Sequence, residues 1–203
     1  GLKNCIELID SNFKALAFYI TEKELINYFP KATLISIKEA NRITHLKSPS
    51  SVLAVVEIPK NELIDKDCNT ILYLDGIKDP GNLGTIIRTL DWFGHSQLFC
   101  SNDTVDNFNS KVIMASMGSI FRTKVHYTDF VSLQKIFPNH IIYGTYLDEE
   151  SIYKKIINKK SIIVMGNESH GISKNITDFV EFKISIPKVG RAESLNVSTA
   201  SAI

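Results

Sequence analysis

The sequence has little sulfur: three cysteines, Cys5, Cys68 and Cys100, lie far apart in 203 residues and form no C-x-x-C pair. That excludes a disulfide scaffold and a cysteine-based zinc site, and it fits reduced thiols in a cytoplasmic protein. Long apolar runs are also missing. Stretches such as Leu53-Ala54-Val55-Val56 and Ile162-Ile163-Val164-Met165 fall far short of the roughly 18 residues a membrane span requires, so neither a membrane helix nor a signal peptide is expected. Charge of one sign is not in excess: 23 Lys and Arg face 22 Asp and Glu, a formal net charge of +1. Global electrostatics therefore gives no reason to expect nucleic acid, and any such contact must come from a local patch. The common nucleotide fingerprints are absent as well. No G-x-G-x-x-G occurs, and although Gly76 and Gly81 have Walker A spacing, Asn82-Leu83 stands where a Lys-Ser/Thr pair must reach phosphate and magnesium.

What is present is a globular composition, 44% hydrophobic, long enough for one large domain or a small one joined to a medium one. Residues 1–58 read as a small α/β unit. Thr21-Glu22-Lys23-Glu24 has the pattern of a capping box and predicts a helix over about 22–29, with apolar Leu25, Ile26 and Phe29. Strands are expected at Ala15–Ile20, Thr33–Ile37 and Ser51–Ile58. The abrupt Gly1-Leu2-Lys3 opening raises the expectation that a first strand of this unit is missing. Charged and polar residues with one proline mark 59–69 as a linker. From 70 to 203 strands and helices alternate: Ile71–Leu74, a helix from about Asn82 to Phe93 closed by Gly94, then Gln97–Cys100, Ile141–Thr145, Ile162–Met165 and Phe182–Ile186. Strands apolar on both faces predict a parallel sheet with helices on both sides. Ligands in such sheets bind beyond the carboxyl ends of the strands.

Three loops at those ends concentrate glycine and polar residues. The first is Asp75-Gly76-Ile77-Lys78-Asp79-Pro80-Gly81-Asn82, leading into a helix whose apolar face is Leu83, Ile86, Ile87 and Leu90 and which carries Arg88 on its other side. The second is Gly166-Asn167-Glu168-Ser169-His170-Gly171-Ile172. Its Ser-His pair is not the G-x-S-x-G elbow of a hydrolase. The third runs from Ile186-Pro187 to Ser194-Leu195-Asn196-Val197-Ser198 and ends in a helix of small residues, suited to close packing against another backbone and without a terminal cap, as in a trimmed chain. Read singly, each loop also has a purely structural reading: the first, more readily than not, as a capped turn with a solvated Arg88, the second as a capped helix start, the third as a tightly packed C-terminal helix.

Read in order, Asp79-Pro80-Gly81-Asn82-Leu83-Gly84-Thr85-Ile86-Ile87-Arg88, Gly166-Asn167-Glu168-x-x-Gly171-Ile172, and Ile186-Pro187 followed by Ser194-Leu195-Asn196-Val197-Ser198 resemble the three signature motifs of the SpoU (TrmH-type) RNA ribose 2′-O-methyltransferases of the SPOUT superfamily. The likeness runs from Ile71 to the end of the chain. More loosely, residues 1–58 are similar to that family's ribosomal-protein-like RNA-recognition domain, whose closing segment Leu46–Val56 resembles.

The resemblance implies an α/β sheet closed by a C-terminal deep trefoil knot, an exception to the rule against knots. It also implies S-adenosylmethionine as cofactor, a homodimer with the active site near the interface, and methylation of structured RNA, rRNA or tRNA, with rRNA the favoured of the two. The reaction is a displacement at an activated methyl and needs no metal. By motif position the catalytic set is Asn82, Arg88, Glu168, Ser194 and Asn196, and the cofactor set is Thr145, Gly166, Ile186 and Leu195. A guanidinium stays protonated above about pH 12, so Arg88 is expected as a phosphate clamp and only secondarily as a base. Asn82 and Glu168 would orient it and the ribose. Between Lys31 and Lys60 five basic residues, Lys31, Lys38, Arg42, Lys47 and Lys60, outnumber Glu39 and Glu57, a local excess suited to RNA phosphates. The rival readings are a catalytically idle RNA-binding scaffold and a nucleotide-dependent oxidoreductase.

Overall fold

The computed structural model describes residues 1–44, 48–60 and 63–203. The chain opens with helix α1 (Leu2–Ile9) and continues through β1 (Ala15–Ile20), β2 (Thr33–Leu34), α2 (Ile37–Ile43) and β3 (Val52–Val56). Strand β1 is central, parallel to β2 and antiparallel to β3, with an irregularity between Ala15 and Ala17. Cys5, Ile20, Leu25, Phe29 and Val52 are buried together beneath this sheet.

Two local expectations are corrected here. The segment after Thr21 is a short 3₁₀ turn, Lys23–Asn27, whose preceding residue Glu22 is extended and supplies no side-chain cap. Pro30 stands three residues beyond Asn27, and the residue before a proline is driven out of the helical region. The capping box forms instead at Ser36 and Glu39: the Ser36 hydroxyl accepts from Glu39 N at 3.2 Å and the Glu39 carboxylate accepts from Ser36 N at 2.8 Å. Helix α2 therefore starts where a strand was expected to continue, and β2 stops at Leu34. The Leu46-Lys47 start of the quoted closing segment lies outside the described residues.

The remaining elements are β4 (Thr70–Leu74), α3 (Pro80–Trp92), β5 (Gln97–Cys100), α4 (Ser110–Ser116), β6 (Lys124–Tyr127), α5 (Phe130–Ile136), β7 (Ile141–Ser151), β8 (Ser161–Met165), α6 (Lys174–Thr177), β9 (Phe182–Ser185) and α7 (Val197–Ala200). Six strands form one sheet in the order β6-β5-β4-β8-β7-β9, every pair parallel. The two-residue period of β4 explains its double coverage. Leu74 points to one layer with Leu83, Ile86 and Ile87 of α3, Val112 of α4 and Val197 of α7. Ile71 and Tyr73 point to the other, with Phe130 and Leu133 of α5 and Ile176 of α6. Gly84 lets α3 and α4 touch: a Cβ there would lie 2.6 Å from both Ala115 Cβ and the Val112 carbonyl.

Strand β7 is longer than expected because it leaves and rejoins its neighbour. Both Thr145 and Glu150 pair with Ile184, so residues 146–149 bulge outward, with Asp148 at a positive φ of 58°. The expected C-terminal helix shortens to the four residues of α7. The two sheets are tied together by Phe13 against Phe121 (ring centroids 5.1 Å), by Asn4 Nδ2 donating to the Ile113 carbonyl at 3.0 Å, and by Arg122, which pairs with Glu7 and Asp91. Among the described residues no helix is long and apolar enough to cross a membrane, and none of their acidic, His and Cys side chains cluster as metal ligands.

Candidate active site

The loop after β4 is held from both sides. Asp75, buried, accepts from Ser173 N at 2.6 Å, and Gly76, at a φ of +69°, donates its N–H to Ser101 Oγ at 2.8 Å. The Gly76 carbonyl accepts from Asn167 Nδ2 at 2.6 Å, which fastens the first loop to the second. Outside it, Lys78 and the Ser101 hydroxyl bond to Asp103 and hold that carboxyl below the usual range. Asp79 then caps α3 by accepting from Asn82 N at 2.8 Å, and Pro80 occupies the first turn, where its missing N–H costs nothing.

This start of α3 aims Asn82 at the other two loops. Its Nδ2 donates to Glu168 Oε1 at 2.8 Å, and its Oδ1 accepts from Asn196 Nδ2 at 2.9 Å. The orientation of both amides follows from chemistry. An ionised carboxylate only accepts, so Asn82 must turn its NH₂ toward Glu168, leaving its oxygen for Asn196. Asn196 can donate because its own oxygen is occupied as the cap of α7, accepting from Ser198 N at 2.9 Å and from Ser198 Oγ at 2.5 Å. Three residues drawn from three sequence motifs thus form one hydrogen-bonded chain.

The second loop closes on itself. Asn167 and Gly171 exchange two backbone hydrogen bonds of 2.9 Å, while Asn167 Oδ1 accepts from Ser169 N at 2.8 Å and His170 N at 3.2 Å. Closure demands glycine at 166, because a Cβ there would come within 2.3 Å of Gly171 C.

A cleft of about 1250 Å³ opens beside this constellation. It is lined by all four expected cofactor positions, Thr145, Gly166, Ile186 and Leu195, and by Glu168, Ser194 and Asn196. Thr145 Oγ1 is committed to the Val164 carbonyl at 2.9 Å, so it shapes the wall rather than offering a donor. The peptide groups from Pro187 to Leu195 make no hydrogen bond among the described residues, and most of that segment faces the cleft. A row of free donors and acceptors over an apolar floor of Ile163 and Met165 suits a purine edge, and in this respect the residues fit S-adenosylmethionine.

Arg88 is not brought to the network. It lies six residues beyond Asn82 on α3, exposed, and pairs with no carboxylate among the described residues. Asn82 and Glu168 orient each other rather than Arg88. Sequence reasoning also passed over Asn167 and Asp75, which hold the loops in place although both stand within the loops singled out. Around the smaller sheet, Lys38 and Arg42 on α2 and Lys31 and Lys60 outside its strands are exposed, and Lys47 lies outside the described residues. The opposing acids are partly engaged: Glu57 pairs with Lys14 at 2.7 Å, and Glu39, lowered in pKa by its bonds from Ser36, caps α2.

Comparison with known proteins places the chain among related sequences and folds. The sequence matches the SpoU rRNA Methylase family over residues 69–203. The 23S rRNA (guanosine(2553)-2′-O)-methyltransferase RlmP of Bacillus subtilis is 30% identical over 177 residues, which span 84% of this chain and 69% of that protein. A Porphyromonas gingivalis structure assigned to the TrmH RNA methyltransferase family superposes with a TM-score of 0.84 at 30% identity, covering all of this chain and 84% of the other. An AdoMet-bound rRNA methyltransferase from Sinorhizobium meliloti gives 0.83 at 28% identity, covering all of this chain and 82% of that one. The chain belongs to the SpoU rRNA methylase family.

Proposed function

We propose that the protein transfers the methyl group of S-adenosylmethionine to a ribose 2′-hydroxyl in structured RNA, with rRNA rather than tRNA as the substrate class. The observation that carries this reading is the hydrogen-bonded chain Glu168–Asn82–Asn196 at the edge of the cleft. It is supported by the B. subtilis relative, whose name specifies 23S rRNA ribose methylation, and by the S. meliloti neighbour solved with AdoMet.

When bound, the cofactor supplies a methyl on a positively charged sulfur, whose thioether leaves without help from a metal. Gly166, Ile186 and Leu195 and the peptide groups around 187–195 would hold it, with Thr145 closing the wall. Glu168, Asn82, Asn196 and Ser194 fix the position of the ribose, since alignment is the main demand of such a displacement. Arg88 clamps the target phosphate from its exposed station on α3 and is a base only if its surroundings change on RNA binding.

The reading extends to architecture and assembly. Residues 1–58 serve as the RNA-recognition domain, 59–69 as linker and 70–203 as the methyltransferase domain of a cytoplasmic protein. A trefoil knot accounts for the path of the last segment: β9 lies at the sheet edge beyond β7, yet the chain returns to α3, where Asn196 meets Asn82. A homodimer accounts for Trp92 and Phe93, 84% and 61% exposed at the end of α3.

Calorimetric titration with S-adenosylmethionine, followed by mass spectrometry of 2′-O-methyl nucleosides in an unmodified rRNA transcript, tests the activity. Asn82→Ala should retain cofactor affinity but lose about 100-fold in transfer, the scale expected from misplacing a reactant by an ångström. No cofactor binding by the wild-type protein up to millimolar concentration would make it an idle scaffold. Light scattering that gave a monomer of 22.8 kDa would remove the dimer.

A further inference from the structure

The segment joining β7 to β8, residues 152–160, contains Lys154, Lys155, Lys159 and Lys160 and no acidic residue, in a chain whose total charge is nearly balanced. Folding explains part of this composition. The segment is anchored by a turn in which Lys154 N and Lys155 N donate to the Ser151 carbonyl, and by Asn158, whose N and Nδ2 donate to Tyr143 OH at 3.2 and 3.1 Å. Lys155 belongs to the anchor too: its ammonium pairs with Glu150 at 2.8 Å and sits 4.2 Å above the Phe182 ring. Ile152 and Ile157 turn inward and line the cleft.

Folding does not explain the outward face. Lys154, Lys159 and Lys160 are exposed and have no carboxylate partner among the described residues. Tyr153 and Ile156 beside them are 71% and 90% exposed. Cations that track a phosphate chain, interleaved with an aromatic ring that can stack on an unpaired base, form the usual surface for single-stranded or looped RNA. Here that surface is rigidly anchored and shares its segment with residues of the cleft wall.

We propose that residues 153–160 form a second RNA grip on the connection from β7 to β8, in which Lys154, Lys159 and Lys160 bind phosphates and Tyr153 stacks on an unpaired base outside the target nucleotide. This rests on the methyltransferase reading and adds a contact surface separate from the basic residues of 31–60.

The test uses the full chain, with Lys154, Lys159 and Lys160 all changed to Gln, and separately Tyr153→Ala. All four side chains are exposed, and thermal melting checks that folding is intact. Binding of a fluorescein-labelled single-stranded RNA 20-mer is followed by anisotropy at several salt concentrations. Losing three phosphate contacts from a single strand should flatten the plot of log affinity against log salt by about 2. Tyr153→Ala should weaken binding about tenfold with the slope unchanged. On an unmodified rRNA transcript the lysine variant should raise KM. Unchanged affinity and slope in the lysine variant would overturn the proposal. So would a wild-type chain that binds phosphatidylserine vesicles through these lysines while its RNA affinity ignores them. If the wild-type protein binds RNA in the expected way but neither takes up S-adenosylmethionine nor methylates, the catalytic reading fails and the grip stands.

Discussion

Gly166 and Gly171 close the same loop for different physical reasons, and alanine at each should fail differently. At Gly166 the obstacle is space. A Cβ would lie 2.3 Å from Gly171 C and 2.4 Å from Ile172 N, whereas ordinary contact begins near 3.4 Å, so the two sides of the loop must separate by about 1 Å. If the loop stays shut, overpacking costs about 1–3 kcal/mol. If it opens, the two 2.9 Å backbone bonds between Asn167 and Gly171 are lost, at about 0.5–1.5 kcal/mol each. Either route destabilises by a similar amount and should lower Tm by roughly 2–12 °C. At Gly171 the obstacle is conformation. Its φ is +67°, but nothing lies within 4 Å of the added Cβ. Alanine there costs about 1–2 kcal/mol of backbone strain without displacing anything.

Melting alone therefore does not separate the two variants, but cofactor titration does. Gly166→Ala moves the floor of the cleft and should weaken S-adenosylmethionine binding at least about tenfold, the change produced by 1.4 kcal/mol. Gly171→Ala should leave that affinity close to wild type, and Gly171→Asn should recover part of the lost Tm, because asparagine tolerates the left-handed conformation. Wild-type affinity and Tm in Gly166→Ala would refute the reasoning. So would a larger loss of affinity at Gly171 than at Gly166.

Arg88→Ala should leave stability within about 0.5 kcal/mol of wild type, because the side chain is exposed and has no carboxylate partner among the described residues, and should leave cofactor affinity intact while transfer falls. Arg88→Lys should keep part of the activity, since charge survives and the two-pronged contact does not. Loss of cofactor binding in Arg88→Ala would place the residue in the wrong pocket. His126 stacks on Phe99 with ring centroids 5.0 Å apart, and its Nε2 has no hydrogen-bond partner among the described residues. Burial, aided by the charge of Lys124, lowers its pKa below 6.5. The unfolded chain therefore takes up the proton first, and stability should fall as pH drops through about 6.5 and level off below the folded value. His126→Phe should shrink the Tm difference between pH 7.5 and pH 5; an unchanged difference would show that another group is responsible.

How far the sequence could be read depended on where each signal lay. The helix from Pro80 was legible because a capping Asp, a proline at the first turn and apolar residues at helical spacing agree, and Gly94, at a φ of +79°, ends it. Helix α1, α4 and α5 were not foreseen, nor was β6, whose four residues Lys124–Tyr127 are only partly apolar. The capping box was sought at Thr21 although Ser36–Glu39 offers the same pattern, since the apolar residues of 33–37 read equally well as a strand. Family motifs identified Asn82, Glu168 and Asn196, but not that they bond to one another, because the pairings span 86 and 114 residues. Only the sheet order, with β4 beside β8, brings the loops together.

Those long separations also decide when the site can exist. The sheet from β4 to β9 and its two cores take little from beyond residue 185: Val197, which is buried with Leu74 and Leu83, and the partly buried Ala200 packed against the same core. The network, by contrast, requires Asn196 to arrive at Asn82, and Asn196 is held there as the cap of α7. A cap on a four-residue helix contributes only about 0.5–2 kcal/mol, and the bonds of exposed Asn196 and Glu168 are individually weak. Their combined position therefore depends on the docking of α7 through Val197 and Ala200. Loss of that contact would release Asn196 and the lining from Pro187 to Leu195 together while most of the sheet's apolar burial survived. Fold stability and site geometry are thus carried by different contacts, and the last turn of the chain is the point where they join.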